Sequence, residues 1–159
     1  MKLVGGFVVV AITFAPTAWA DNYEVSVTRK GSNLYKIDGR DVLIHTRYCY
    51  EYAYSEDSFL RMSGYSGEIV FLDAGEKCDV KAVYGVIAQS SGNYSVTVTR
   101  EEDDWYEVQG QDVWLKTSGC YAYSYGEESV LKVSGYGGGT LYVNDSTCTV
   151  EGIYGRLRL

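Results

Sequence analysis

Hydrophobic and polar positions alternate with a period of two along most of the chain. Val25 and Val27 stand between Glu24, Ser26 and Thr28, and Val96 and Val98 repeat the arrangement about seventy residues later. That spacing predicts half-buried β-strands rather than amphipathic helices, whose apolar positions recur every 3.6 residues. Turn signals interrupt the alternation at short intervals. Gly31-Ser32-Asn33 follows the first strand, and Asp38-Gly39 separates Tyr35-Lys36-Ile37 from Asp41-Val42-Leu43-Ile44. Ser63-Gly64-Tyr65-Ser66-Gly67 precedes Ile69-Val70-Phe71-Leu72. Asp-Gly between apolar runs supplies the positive φ of a tight hairpin, and Gln109-Gly110 stands at the corresponding place further on.

The pattern occurs twice. Shifted by 71 positions, Tyr23 to Asp73 overlies Tyr94 to Asn144 with 21 of 51 residues identical, the signature of a duplicated unit. The fold class predicted is therefore all-β: two tandem homologous antiparallel modules of five to six strands each, barrel- or roll-like. The first spans residues 21–86 and the second 94–159, with a short connector at 87–93 that starts with Val86-Ile87 and so brings the modules into contact. A last strand with Cys78, Val80, Ala82 and Tyr84 on one face completes the first module, and Cys148, Val150, Gly152 and Tyr154 complete the second. A short helix beginning at Ser55 is the competing local reading.

Residues 1–20 read as a cleaved signal peptide. Lys2 gives the charged start, Leu3 to Pro16 the apolar stretch and Ala18-Trp19-Ala20 the small-x-small cleavage site. The apolar run falls short of the roughly 20 residues that span a bilayer, so no transmembrane segment is expected after cleavage, and the protein is expected to be periplasmic or secreted. In an exported chain four cysteines imply two disulfides. The repeat selects Cys49 with Cys78 and Cys120 with Cys148, because only pairing inside each copy gives both the same local geometry without exchange.

Removing Lys2 with the leader leaves 13 basic against 21 acidic residues, a net charge of −8. Such a chain has no general attraction for phosphate backbones, and no nucleic-acid partner is expected. His45 is the only histidine, which excludes histidine-based triads and His-rich metal sites; its position reads as surface. Ser129-Val130-Leu131-Lys132 matches a Ser-x-x-Lys string without its companion motifs. The acidic run Glu101 to Asp104 lacks the ligand alternation of a calcium loop, and Glu56-Asp57 and Glu127-Glu128 read as turn polarity. No catalytic residue, metal site or cofactor is predicted.

Tyrosine carries the candidate function. Tyr48, Tyr50, Tyr52 and Tyr54 recur every second residue, and Tyr121, Tyr123 and Tyr125 repeat the last three, so the strand after the hairpin is expected to carry a tyrosine ladder on one face, with Cys49 and Cys120 on the opposite face. Tyr65 and Tyr136 occupy the two Ser-Gly-Tyr turns. A flat ring with a hydrogen-bonding tip suits sugar stacking or protein contact, although cross-strand aromatic pairs can equally stabilise a sheet. The function expected is a non-catalytic exported binding protein for a protein or cell-envelope glycan, in its narrower form an inhibitor or immunity protein for an extracellular hydrolase. The alternatives are an envelope-associated structural module and, third, a carboxylate-dependent hydrolase with its site between the modules.

Overall fold

A computed structural model describes residues 20–159 except Tyr136; all of the expected leader but Ala20 lies outside the described residues. Twelve strands are formed, with no helix among the described residues. The first six are β1 (Asp21–Gly31), β2 (Leu34–Ile37), β3 (Val42–Arg47), β4 (Glu56–Ser63), β5 (Ser66–Phe71) and β6 (Lys77–Val86). The second six are β7 (Gly92–Glu102), β8 (Trp105–Val108), β9 (Val113–Ser118), β10 (Tyr125–Val133), β11 (Gly139–Val143) and β12 (Ser146–Leu157). The strand from Glu56 settles the competing helix reading at Ser55 in favour of β-structure. Gly39 and Gly110 take φ of 71° and 75° at the predicted hairpins, a conformation glycine adopts without steric cost.

Antiparallel pairing runs β1-β2-β3-β6-β5-β4 and back to β1, and β7-β8-β9-β12-β11-β10 and back to β7. Each copy is thus a closed six-stranded barrel. Closure matters for a small all-β unit because it removes the open strand edges that invite aggregation. Each barrel encloses its own core, Tyr35, Ile44, Leu60, Ile69 and Phe71 among the residues of the first, Tyr106, Leu115, Leu141 and Ile153 among those of the second. The predicted disulfides Cys49–Cys78 and Cys120–Cys148 are both present, and such bonds form and persist in oxidising compartments.

β6 and β12 also pair with each other, joining the barrels into one continuous sheet. Their register sets Gly85 against Gly155, Tyr84 against Arg156 and Val86 against Tyr154. Gly85 and Gly155 are equivalent positions of the repeat, so a local two-fold axis passes between them. A Cβ on Gly85 would lie 2.8 Å from the Leu157 side chain, and one on Gly155 would lie 2.8 Å from Ile87. Leu157 belongs to the second copy yet packs on the first barrel's core; Ile87 packs on the second's. Leu159 continues this exchange by hydrogen bonding in both directions with Gly64 at the far end of the first barrel.

One correction concerns the faces of β6 and β12. Strict alternation places Cys78, Val80, Ala82 and Tyr84 together, but the ladder to β3 slips between His45 and Thr46, leaving Lys81 unpaired, and the ladder to β9 slips at Glu151. An extra residue in one strand turns every following side chain to the other face. Val80 and Val83 consequently face the first barrel, whereas Ala82 and Tyr84 join a separate core between the barrels with Leu34, Leu43, Trp105, Trp114 and Tyr154. One strand thereby serves two cores. The Leu/Trp differences between the copies fall in this seam: Trp105 and Trp114 stand where the first copy has Leu34 and Leu43.

Candidate functional site

Except for Tyr125, which opens β10 and pairs with Thr99, the row tyrosines do not lie on ladder strands. Residues Cys49 to Tyr54 and Cys120 to Ser124 form connectors, entered through the left-handed Tyr48 and Gly119 and, in the first copy, left through the left-handed Ser55, each crossing the mouth of its barrel from β3 to β4 or from β9 to β10. Period two is common to any extended segment, so the alternation survives although the sheet hydrogen bonds are absent. Inward residues are small, Cys49 and Ala53 in one copy and Cys120 and Ser124 in the other, and they close the mouth. Outward residues are the tyrosines.

Each connector is held by the same set of bonds. Arg29 N–H donates to the Ala53 carbonyl at 2.9 Å and Arg100 N–H to that of Ser124 at 2.8 Å. Asn33 and Asp104, in left-handed conformations with φ of 59° and 62°, accept the N–H of Cys49 and Cys120 at 2.7 and 3.0 Å. Asparagine and aspartate tolerate that region better than other non-glycine residues. From inside the barrels, the Tyr35 hydroxyl donates to the Glu51 carbonyl at 2.7 Å and that of Tyr106 to the Ala122 carbonyl at 2.6 Å. Burial pushes the Tyr35 hydroxyl up to about 12, which keeps it a donor at any physiological pH. With the disulfide beside these bonds, each connector is fixed at several points along its length.

What these bonds fix is an aromatic surface. Tyr48, Tyr50, Tyr52, Tyr54, Tyr121, Tyr123 and Tyr125 are between 73 and 85% exposed. Burying one large apolar side chain contributes roughly 1.5–3 kcal/mol, and these seven forgo nearly all of that. Cross-strand aromatic stabilisation, the structural alternative considered from the sequence, does not account for rings this exposed.

The ends of β1 and β7, just beyond the arginines that pin the two rows, meet each other. Gly31 and Glu102, the last residues of β1 and β7, are equivalent in the repeat and in contact; the Glu102 carboxylate accepts the Ser32 N–H at 2.6 Å. The pinning residues Arg29 and Arg100 lie two positions before that contact, roughly 7 Å along an extended strand. A cleft of about 380 Å³ opens there between Tyr52 and Tyr54 on one side and Arg29, Lys30 and Glu102 on the other. The Arg29 guanidinium sits 5.6 Å from the centre of the Tyr52 ring, within cation–π range.

Tyr65 belongs elsewhere. It stands on the β4–β5 turn at the opposite end of the barrel, half-exposed, with Arg156 and Arg158 over its ring at 5.0 and 5.6 Å. Its repeat partner Tyr136 lies outside the described residues. The sequence grouped both with the rows; the structure separates Tyr65 from them. Asn33, Asp104, Tyr35 and Tyr106 were not singled out from sequence, although each position keeps its chemistry in both copies.

His45 is a second correction. It is half-buried at the seam, its ring meeting Trp114 edge-on at 5.2 Å, and its Nδ1 has no hydrogen-bond partner among the described residues. Burial, then the nearby Lys81 and Arg47 charges, lowers its pKa to about 4. Because the folded pKa lies below the ordinary 6.5, the unfolded chain takes up the proton first as pH falls. His45 therefore costs nothing above about pH 6.5 and destabilises the fold progressively down to about pH 4. After allowance for partial solvent screening the loss should be roughly 2 kcal/mol. Urea unfolding at pH 7 and pH 4 should show a smaller acid loss in His45→Gln than in the parent; an identical loss would exclude His45 as its source.

Glu101, which like His45 feels the Lys81 charge, has its pKa raised, first by burial and then by the Glu107 and Glu102 charges. Among the described residues no three His, Cys, Asp or Glu side chains form a metal-binding group. No family model, curated protein or solved structure matches the chain.

Proposed function

We propose that this is an exported, non-catalytic binding protein, periplasmic or secreted, whose paired tyrosine rows recognise a protein or cell-envelope glycan. The single observation that carries the reading is the exposure of seven tyrosine rings, six on connectors pinned by a disulfide and by backbone and side-chain hydrogen bonds and the seventh, Tyr125, at the start of β10. A pinned ring loses little conformational freedom on binding, so more of its contact energy appears as affinity. Exposed aromatic clusters of this kind are characteristic of interaction sites, and tyrosine combines stacking area with a polar tip. The acidic net charge and the oxidising environment implied by the disulfides agree with a role outside the cytoplasm.

Tyr52→Ser and Tyr123→Ser, combined in one chain, test this. Both side chains are exposed, so stability should change by no more than about 0.5 kcal/mol. Co-sedimentation with purified peptidoglycan and pull-down of periplasmic proteins by the mature chain should each report whether a partner is bound. Where the parent binds, the double variant should lose at least about tenfold in affinity, as for truncated aromatic hot spots. Unchanged binding by a folded variant would remove the rows from the interface.

A further inference from the structure

The repeat makes the two tyrosine rows comparable side by side, and their charged surroundings differ. Lys30 of the first copy corresponds to Glu101 of the second, and Ser32 to Asp103. In the second copy Arg100 is engaged by Asp103 at 2.6 Å. In the first, neither Arg29 nor Lys30 has a carboxylate within 4 Å among the described residues, and Lys30 is exposed. Both cations line the cleft beside Tyr52 and Tyr54. The third charge in that cleft, Glu102, is partly satisfied by the Ser32 N–H.

We propose that this cleft is an anion subsite of the tyrosine surface, taking the carboxylate of an acidic sugar whose ring stacks on Tyr52 or Tyr54. The inference rests on the binding role given above and narrows its ligand. Two cations against one carboxylate leave a single net positive charge, which matches a monoanion better than a phosphate monoester of charge near −2. An ammonium and a guanidinium offer charge-assisted hydrogen bonds, about twice as strong as neutral ones. A saccharide is favoured over an acidic peptide because both barrels are closed: among the described residues no full-length edge strand is available for a peptide to extend, whereas aromatic faces beside charged groups suit a sugar with one apolar face and one carboxylate. The equivalent place in the second row, with Glu101 for Lys30 and Arg100 already engaged, repels the same group, so one row selects charge and the other accepts neutral rings.

Titration calorimetry of the mature chain tests this with oligogalacturonate, oligomannuronate and hyaluronan fragments, each beside its carboxyl-reduced neutral form. At least one acidic oligosaccharide should bind about tenfold or more tighter than its reduced form, and Lys30→Glu should abolish that advantage while leaving neutral binding in place. Raising the salt to about 1 M should shrink the advantage, since the Debye length falls to about 3 Å. Equal binding of acidic and reduced forms, still lost in the Tyr52→Ser and Tyr123→Ser variant, would overturn the subsite and leave the aromatic surface standing. Tighter binding of hexaglutamate, or of a sulfated oligosaccharide without carboxylates, would overturn the carboxyl-sugar assignment. Absence of binding to every saccharide would overturn it too, and the pull-down then decides whether the rows serve a protein.

Discussion

Trp114→Ala should lower the stability of the entire chain by about 3–5 kcal/mol, the range for emptying a buried tryptophan site. Trp114 is 1% exposed and lies in the second copy, but its ring meets Tyr84 and His45 of the first at 6.0 and 5.2 Å. Its loss therefore opens a cavity at the seam rather than inside either barrel. Urea unfolding followed by tyrosine fluorescence and by far-UV circular dichroism should give coincident transitions in the parent, since β6 and β12 form one ladder. The variant should shift both signals together. Leu141→Ala, which empties a site wholly inside the second barrel, is the comparison: it too should cost about 2–5 kcal/mol. A Trp114→Ala transition that splits, with the first barrel unfolding at its original midpoint, would show that the seam transmits no stability.

Removal of the Cys49–Cys78 bond by paired serine substitution should cost roughly 3–4 kcal/mol, the loop-closure entropy that a crosslink over 29 residues withholds from the unfolded chain. The Cys120–Cys148 bond, closing 28 residues, should be worth about the same. The larger consequence is local. Cys49 is the inward anchor of the first connector, and the hydrogen bonds from Tyr35 and Asn33 converge on the same few residues. Without the crosslink the Cys49 and Ser55 amides should exchange with solvent faster than those of β2 and β3. Affinity for any ligand of the tyrosine rows should fall by about the ordering cost of the freed side chains, 0.5–1.5 kcal/mol each. Unchanged exchange at both amides would mean that the hydrogen bonds alone hold the connector.

Much of the fold was legible in the sequence because its causes are local or repeated. Alternation gave the strands, Asp38-Gly39 and Gln109-Gly110 the hairpins, and the duplicated cysteine spacing the disulfides. Three features were not legible, each for a physical reason. The tyrosine segments alternate as strands do, but whether an extended segment joins a ladder depends on what lies beside it, and here the neighbour is a barrel mouth. Lys81 and Glu151 reverse the faces of β6 and β12 through a slip against β3 and β9, which no single strand's pattern records. His45, and the exchanges of Leu34 and Leu43 for Trp105 and Trp114, read as scattered differences until the seam brings them into or beside one cluster. The candidate site was legible as a row of tyrosines. Its supports, Asn33 with Asp104 and Tyr35 with Tyr106, were not, because a side chain that pins a backbone carries no periodic signature.

The pairing of β6 with β12 at Gly85 and Gly155 also constrains the order of folding. Leu157 and Leu159, which pack on the first barrel's core, are supplied by the second copy, and β12 must find partners in β6 about seventy residues earlier. Domains ordinarily complete themselves from the N-terminus as they emerge. Here the first barrel stays unfinished until Leu157 and Leu159 are available, and contacts of such long sequence separation form slowly. Folding is thereby deferred until both copies can act at once, and a truncation that removes Leu157 to Leu159 damages the first barrel, the one farther from it in sequence.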